Sequence, residues 1–249
     1  MISVDLNVDA GETADGDQAV AAASSVNIAC GGHAGDRATM EQTVRLAIAA
    51  GCAVGAHPSY PDREGFGRIR INISLDDLYD SIQAQIDALN AVVRAQGAAL
   101  SHVKPHGALY HAMNEDPGTI EVMIKAAGRL PIVAAAGSPS EDELRRKGVH
   151  VIREGFADRR YRSDGRLVER AHPEALIDTP EDAAKQAVLL ATEHEAVSTD
   201  GHRVKVECDT ICLHTDQHDA MVRVRAVRES LEEQGVIIAV PSCSNEGRQ

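Results

Sequence analysis

ISVDLNVDAGE, residues 2–12, alternates apolar and polar side chains and ends on a Gly–Glu break. A strand sends successive residues to opposite faces, so Asp5, Asn7 and Asp9 share one face while Val4, Leu6 and Val8 share the other. The apolar face suits packing against surrounding helices. The polar face is costly to bury unless its carboxylates are paired, hydrogen-bonded or bound to a ligand, which predicts an interior that is wet and functional near one end. The same parity recurs along the chain: Asn27, Ala29, Gly31 and His33; Glu154, Phe156 and Asp158; Cys212, His214 and Asp216. In HVKPHGALY, residues 102–110, His102, Lys104 and His106 point one way while Val103 and Pro105 point the other.

Outward from these segments the order is regular. Strands are predicted over residues 2–9, 24–30, 52–57, 100–106, 131–137, 149–156, 210–214 and 236–240. Between them, Asp36 to Gly51 reads as a helix with Met40, Val44, Ala47 and Ile48 on one face, an N-cap at Asp36 and a stop at Gly51. Leu78, Ile82, Ile86, Leu89 and Val93 line a long helix, capped through Ser74 and Asp77 and ended by Gly97. Further helices are predicted from Ile120 to Leu130, from Ser140 to Lys147 behind a Ser-x-x-Glu capping box, from Thr179–Pro180 onward with Ala184, Ala187, Val188 and Ala191 on one face, and from His218 to Glu233. Seven or eight β-α units without a long linker favour an α/β, TIM-like (β/α)7-8 barrel, regular or distorted, over an open doubly wound sheet. One barrel spanning residues 1–249 is expected.

Composition bounds the function. A 249-residue chain with 43% hydrophobic residues and no bilayer-length apolar run is expected to be soluble, with no membrane partner. The acidic N-terminus does not read as a secretory signal, and five cysteines without a CxxC pair suggest neither a disulfide framework nor a zinc ribbon, so the cytoplasm is the expected compartment. A formal charge of -13 argues against non-specific nucleic-acid binding. Aromatic residues make up only 2%, and all but Tyr79 fall in polar motifs, which predicts that they line a pocket.

Those motifs, DLNVDAGE, NIACGGHAGD, GAHPSYPD, HVKPHGALY, EGFADRRY and LHTD, each end a strand. In a barrel they would converge on the C-terminal rim, where loops assemble active sites. Asp9 and Glu12, nearest the loop, are functional candidates; Asp5 and Asn7 lie deeper, where structural and functional roles weigh equally. Asp36 reads as a cap. His33, His57, His106 and His214 occupy four strand ends, favouring a functional role for at least two, whereas His150, His172, His194 and His202 read as surface residues. Asp9, His33, His57 and His214 also have the donor chemistry for a divalent metal, although no HExxH-like spacing supports one. CGGHAGD could present backbone N–H groups to an anion, but the chain contains no P-loop.

Taken together, these motifs with GFGR (residues 65–68), Gly165, Leu167, Val168 and Arg170 closely resemble the LamB/YcsF family, described as the A subunit of ATP-hydrolysing 5-oxoprolinase. The resemblance covers nearly the whole chain. It implies a barrel related to the polysaccharide deacetylase fold, cleavage of 5-oxo-L-proline to L-glutamate with ATP as co-substrate, and partner subunits B and C. Val8, Ala10, Ile69 and Thr215 depart from the usual family text; Thr215 stands for a glycine that would allow close approach of a ligand. On side-chain chemistry, Lys104 and His106, joined by His102, are expected to neutralise an oxygen or phosphate that becomes negative, and Asp9 or Glu12 to act as general base. Tyr110 and Phe156 would flank the lactam ring, with Asn7, His33, His57 and Arg159 as further substrate contacts. Two rival expectations stand beside this: a metal-dependent amide or sugar deacetylase-like hydrolase working alone, and a non-catalytic substrate-binding subunit.

Overall fold

The computed structural model describes residues 1–215 and 219–241. Its strands are β1 (Ser3–Ala10), β2 (Ser25–Ala29), β3 (Ala53–His57), β4 (Leu100–Val103), β5 (Ile132–Ala135), β6 (Val151–Phe156), β7 (Glu195–Val197), β8 (Arg203–Lys205), β9 (Thr210–Leu213) and β10 (Ile237–Ile238). The helices are α1 (Ala14–Ala19), α2 (Arg37–Ala50), α3 (Leu75–Ala95), α4 (Gly107–Ala112), α5 (Pro117–Ala127), α6 (Pro139–Arg146), α7 (Pro180–Glu193) and α8 (Ala220–Glu233).

β1 through β6 and then β9 pair in parallel, and β9 returns to β1, closing a seven-stranded barrel. The expected barrel is therefore present in its seven-stranded form. β1 carries β2 on one edge, with Asp9 opposite Asn27, and β9 on the other, with Asn7 opposite Cys212. The segment expected as a final strand contributes only β10, which pairs with Ser3 and Val4. The barrel is distorted where a register shift falls between Val54 and Gly55 and where β4 meets β5 only at Val103 and Ile132.

Alternation explains the core. Leu6, Val8, Val26, Ile28, Val103, Ile132, Ile211 and Leu213 are fully buried in the hydrophobic cluster, while Asp5, Asn7, Asp9 and Asn27 are buried on the opposite parity. On the helical side α3 contributes Leu78, Ile82, Ile86, Leu89, Val92 and Val93, each stabilising the fold by about 1.5–3 kcal/mol when fully buried. Gly55 admits the ring of His102 into the barrel: a Cβ there would lie 2.1 Å from Nε2 of that histidine.

Caps follow the sequence closely at Asp36, which accepts from the Thr39 N–H, and at Ser74, which accepts from that of Asp77. Two expectations are corrected. The cap of α6 is Ser138, not Ser140, because Pro139 occupies the first turn, where its missing N–H costs nothing. α5 begins at Pro117 behind an Asp116 cap, three residues before Ile120. The expected start of the last helix, His218, lies outside the described residues. Short elements went unpredicted: α1, α4 and the antiparallel β7–β8 ribbon. Among the described residues, no helix is long and apolar enough to cross a membrane.

Candidate active site at the barrel mouth

The barrel interior holds polar residues from its lower end to its rim. At the lower end Asp5 accepts hydrogen bonds from the hydroxyls of Ser24 (2.6 Å), Ser25 (2.7 Å) and Thr210 (2.6 Å). Burial nevertheless raises its pKa, and these partners give it a structural role. Above it, Asn7 donates to Glu154 Oε1 (3.1 Å) and Thr210 Oγ1 (2.8 Å) and accepts from Asn27 Nδ2 (2.8 Å). His102 turns into this same layer, with Nε2 2.8 Å from Asn27 Oδ1. Burial, with Lys104 and His57 nearby, pushes its pKa down to about 3, so it is neutral at ordinary pH.

Next comes a buried charge cluster. Lys104 Nζ lies 2.9 Å from Asp9 Oδ1, 2.9 Å from Glu154 Oε1, 3.3 Å from Asn7 Oδ1 and 3.1 Å from Cys212 Sγ. Burial alone would strip its proton, but Asp9, Cys212 and Glu154 outweigh that and hold the ammonium well above its usual range. Asp9 behaves reciprocally: burial pushes it up, Lys104 and His57 pull harder, and the carboxyl stays well below the usual carboxylate range. Tyr110, on α4, donates to Glu154 Oε2 at 2.8 Å.

At the rim, loops bring three histidines around Glu12. Glu12 Oε1 is 2.7 Å from His33 Nε2, 3.3 Å from His106 Nδ1 and 3.7 Å from His57 Nε2. The rings of His33 and His106 stack with centroids 3.7 Å apart, and Phe66 meets both edge-on. Phe66 adopts φ 54°, a left-handed conformation costing about 1–3 kcal/mol for a non-glycine residue. It aims its carbonyl at His106 Nε2, which donates to it at 2.9 Å. Close packing holds that loop: the Ala108 N–H donates to the Gly67 carbonyl at 2.9 Å, and a Cβ on Gly107 would lie 2.6 Å from the same oxygen. On the opposite wall Asp158 accepts from the backbone N–H of His214 (3.0 Å) and from its Nδ1 (2.9 Å). Burial raises the Asp158 pKa, but His214 overcomes this and lowers it.

These walls enclose a cavity of about 380 Å³ at the C-terminal ends of the strands. Asp9, His57, Lys104, His106, Tyr110, Phe156, Arg159 and His214 all line it. Three expectations about placement are corrected. Asn7 lies beneath Lys104 and does not reach the cavity; Glu12 and His33 stand behind His106 and face a second cleft of about 760 Å³. Asp216 lies outside the described residues. The aromatic expectation holds for Tyr110 and Phe156, whereas Tyr60 and Tyr161 are buried in the core. His150, His172, His194 and His202 are exposed. Thr215 does not face the cavity: its hydroxyl donates to the Asp9 carbonyl at 2.6 Å and packs over Gly16. Sequence reasoning did not select Arg68, Arg170 or Glu154 as site residues, yet all line the cavity. Glu154 shared the inward parity, and the two arginines sat in the motifs noted above.

Arg159 is buried, its Nη2 donating to the Val168 carbonyl at 2.7 Å, and burial lowers its pKa. Gln186 of α7 fixes this loop by donating to the carbonyls of Phe156 and Arg159, both at 2.7 Å. The arrangement pairs a buried floor, where the Lys104 ammonium meets the carboxyl groups of Asp9 and Glu154, with a mouth carrying Arg68, Arg159 and Arg170. It suits a small anionic molecule with a flat apolar portion between Tyr110 and Phe156.

Comparison with known proteins agrees with this architecture. A sequence model of the LamB/YcsF family matches residues 4–246. The A subunit of 5-oxoprolinase from Chloroflexus aggregans (strain MD-66 / DSM 9485) is 42% identical over 251 residues, covering 97% of this chain and 100% of that protein. The crystal structure of the lactam utilization protein from Thermus thermophilus superposes with a TM-score of 0.90 at 40% identity, covering 96% of this chain and 100% of that one. A family 4 carbohydrate esterase from Streptomyces lividans, solved with acetate, gives a TM-score of 0.50 at 12% identity, covering 95% and 91%. This last likeness is one of fold alone, and it agrees with the deacetylase-related barrel that the resemblance implied.

Proposed function

The chain belongs to the LamB/YcsF family, and on that footing we propose that it is the lactam-opening subunit of an ATP-dependent 5-oxoprolinase. The observation that carries the reading is the cavity floor: a carboxylate, Asp9, held ionised 2.9 Å from a buried ammonium, beneath a mouth lined by Arg68, Arg159 and Arg170. The lactam ring lies between Tyr110 and Phe156, and the arginines receive the substrate carboxylate and any phosphate attached to the lactam oxygen.

The proton affinity of Asp9 bears on the need for ATP. A carboxylate held well below its usual range orients a water and accepts its proton only weakly. That suits attack on a carbonyl carbon already activated, and it suits poorly an unactivated five-membered lactam, whose amine stays beside the carbonyl and favours reclosure. Phosphorylation of the lactam oxygen supplies the activation. Lys104 balances the charge around Asp9 and, with the arginines at the mouth, offsets the oxygen that becomes negative as water adds; His106 gives its N–H to the Phe66 carbonyl and has none left for that oxygen. Collapse of the adduct opens the C–N bond, the amine taking up a proton as it leaves, and gives the γ-acyl phosphate of glutamate; a second water then releases phosphate and leaves glutamate.

The chain contains no P-loop, so activation is assigned to the complex with subunits B and C, and the setting to the cytoplasm. Mixing the purified chain with those subunits and following glutamate release from 5-oxoproline tests the reading. Release should require all three components and ATP. Robust ATP-independent turnover by the chain alone would instead identify a stand-alone hydrolase.

A further inference from the structure

The rim cluster behind the cavity gathers one carboxylate and three imidazoles around a single point. His57 Nδ1 lies 2.7 Å from the Lys104 carbonyl, and His106 Nε2 lies 2.9 Å from the Phe66 carbonyl. A carbonyl only accepts, so both of those nitrogens carry hydrogen. The remaining nitrogens, His57 Nε2 and His106 Nδ1, face each other across 3.0 Å, a contact that requires either an added proton on His57 or a cation between the two. Glu12 Oε1 and His33 Nε2 face the same point, and all four atoms lie within 4.8 Å of one another. His33 Nδ1 is buried without a hydrogen-bond partner, while its Nε2–H donates to Glu12 Oε1 at 2.7 Å, a hydrogen that a bound cation would displace. Four potential ligand atoms thus gather in a buried space that suits a cation once His33 Nε2 gives up its hydrogen and its ring turns out of the parallel stack on His106.

We propose that Glu12, His33, His57 and His106 bind one borderline divalent cation, zinc being the best match, which ties the ends of β1, β2, β3 and β4 together beside the cavity. Three imidazoles and one carboxylate are the donor set that this class of ion prefers. Tetrahedral bonds of about 2.0–2.1 Å place neighbouring donors about 3.3 Å apart. The separations of 2.7, 3.0, 3.3 and 3.7 Å already observed straddle that value. The hydrogen bonds from His57 and His106 to backbone carbonyls are the outer contacts that orient a ligating imidazole. The cleft lined by Glu12 and His33 gives the ion an entry route separate from the substrate cavity. A second cluster, Asp9 with Cys212 and His214, is set aside because Lys104 Nζ already provides the cation there, 2.9 Å from Asp9 and 3.1 Å from Cys212.

The proposal does not rest on the lactam reading, and its test needs no substrate. The purified full-length chain is stripped with chelator, reloaded with zinc or cobalt(II), dialysed, and examined by elemental analysis, visible absorption and thermal melting. About one zinc per chain, an intense tetrahedral cobalt spectrum and a melting temperature that rises with zinc are expected. His106→Ala and Glu12→Gln should each lose the cobalt spectrum and at least roughly tenfold in zinc affinity, while His150→Ala, at an exposed position, retains both. Glu12→Gln preserves side-chain volume and serves should His106→Ala fail to fold. Less than roughly a tenth of an equivalent of zinc on folded wild-type chain would overturn the proposal and leave a proton on His57 as the occupant. Undiminished binding in both variants would also overturn it, by locating the metal elsewhere.

Discussion

Replacing Lys104 by methionine keeps the length of the side chain and deletes its charge. The ammonium is within 2.9 Å of two carboxyl groups, Asp9 and Glu154, and is almost fully buried. Removing one partner of such a cluster leaves buried charge uncompensated, which costs about 3–5 kcal/mol. For a chain of this size each kcal/mol moves the melting temperature by about 2–4 °C, so Lys104→Met should melt roughly 6–20 °C below wild type. Melting followed by circular dichroism reads this directly. Glu154→Gln in the same background removes part of the excess negative charge, so the double variant should recover some of the loss, giving a coupling of about 1–3 kcal/mol. Turnover per folded molecule in the reconstituted complex should also fall, by roughly 100-fold, the scale of losing one transition-state donor. A melt within about 1 °C of wild type with no coupling to Glu154 would refute the buried charge cluster. A large fall in melting temperature with turnover per folded molecule intact would confine Lys104 to structure.

Gly55→Ala should lower stability by several kcal/mol, because the new methyl would meet the His102 ring at 2.1 Å in a packed barrel; denaturant melts check this, and a neutral result would contradict the inward position of His102. Tyr110→Phe deletes the 2.8 Å hydrogen bond to Glu154 and should cost about 1–3 kcal/mol, read by the same melts. Asp158 has its pKa lowered in the fold, so its contribution is fully present above its unfolded value near 3.8 and is lost as pH falls through the folded value. The stability difference between wild type and Asp158→Asn should therefore shrink below about pH 4, and a difference that grows there would reverse the sign argued for the His214 contact.

Much of this arrangement is written in side-chain parity. The alternation of Val4, Leu6 and Val8 with Asp5, Asn7 and Asp9 separates the helix-facing wall from the interior, and the structure follows it residue by residue. Parity does not specify height along the barrel. His102 and His106 share a face by count, yet β4 stops at Val103, and past Pro105 the chain opens α4, so one ring descends to Asn27 and the other rises to the rim. Nor does a sequence reveal which loop residues stand in front. Glu12 and His33 look equivalent to Asp9 and His57 in their motifs, but Gly11 and Gly31, both with positive φ, turn the chain and carry the first pair behind His106. The partnership of Lys104 with Glu154 joins residues about 50 positions apart through barrel closure, and no local pattern encodes it. Pro139 at the first turn shifted the α6 cap to Ser138, a signal that was readable in the sequence.

The central claim, that this chain performs the ring opening, is tested most directly by Asp9→Asn in the complex reconstituted with subunits B and C. The substitution keeps the shape of the side chain and removes the carboxylate that faces the cavity, and glutamate release from 5-oxoproline with ATP is measured per folded molecule. The account predicts a fall of at least roughly 100-fold, the scale of losing a positioned general base. Release at the wild-type rate would contradict it and leave this chain as one that binds the lactam for chemistry performed elsewhere.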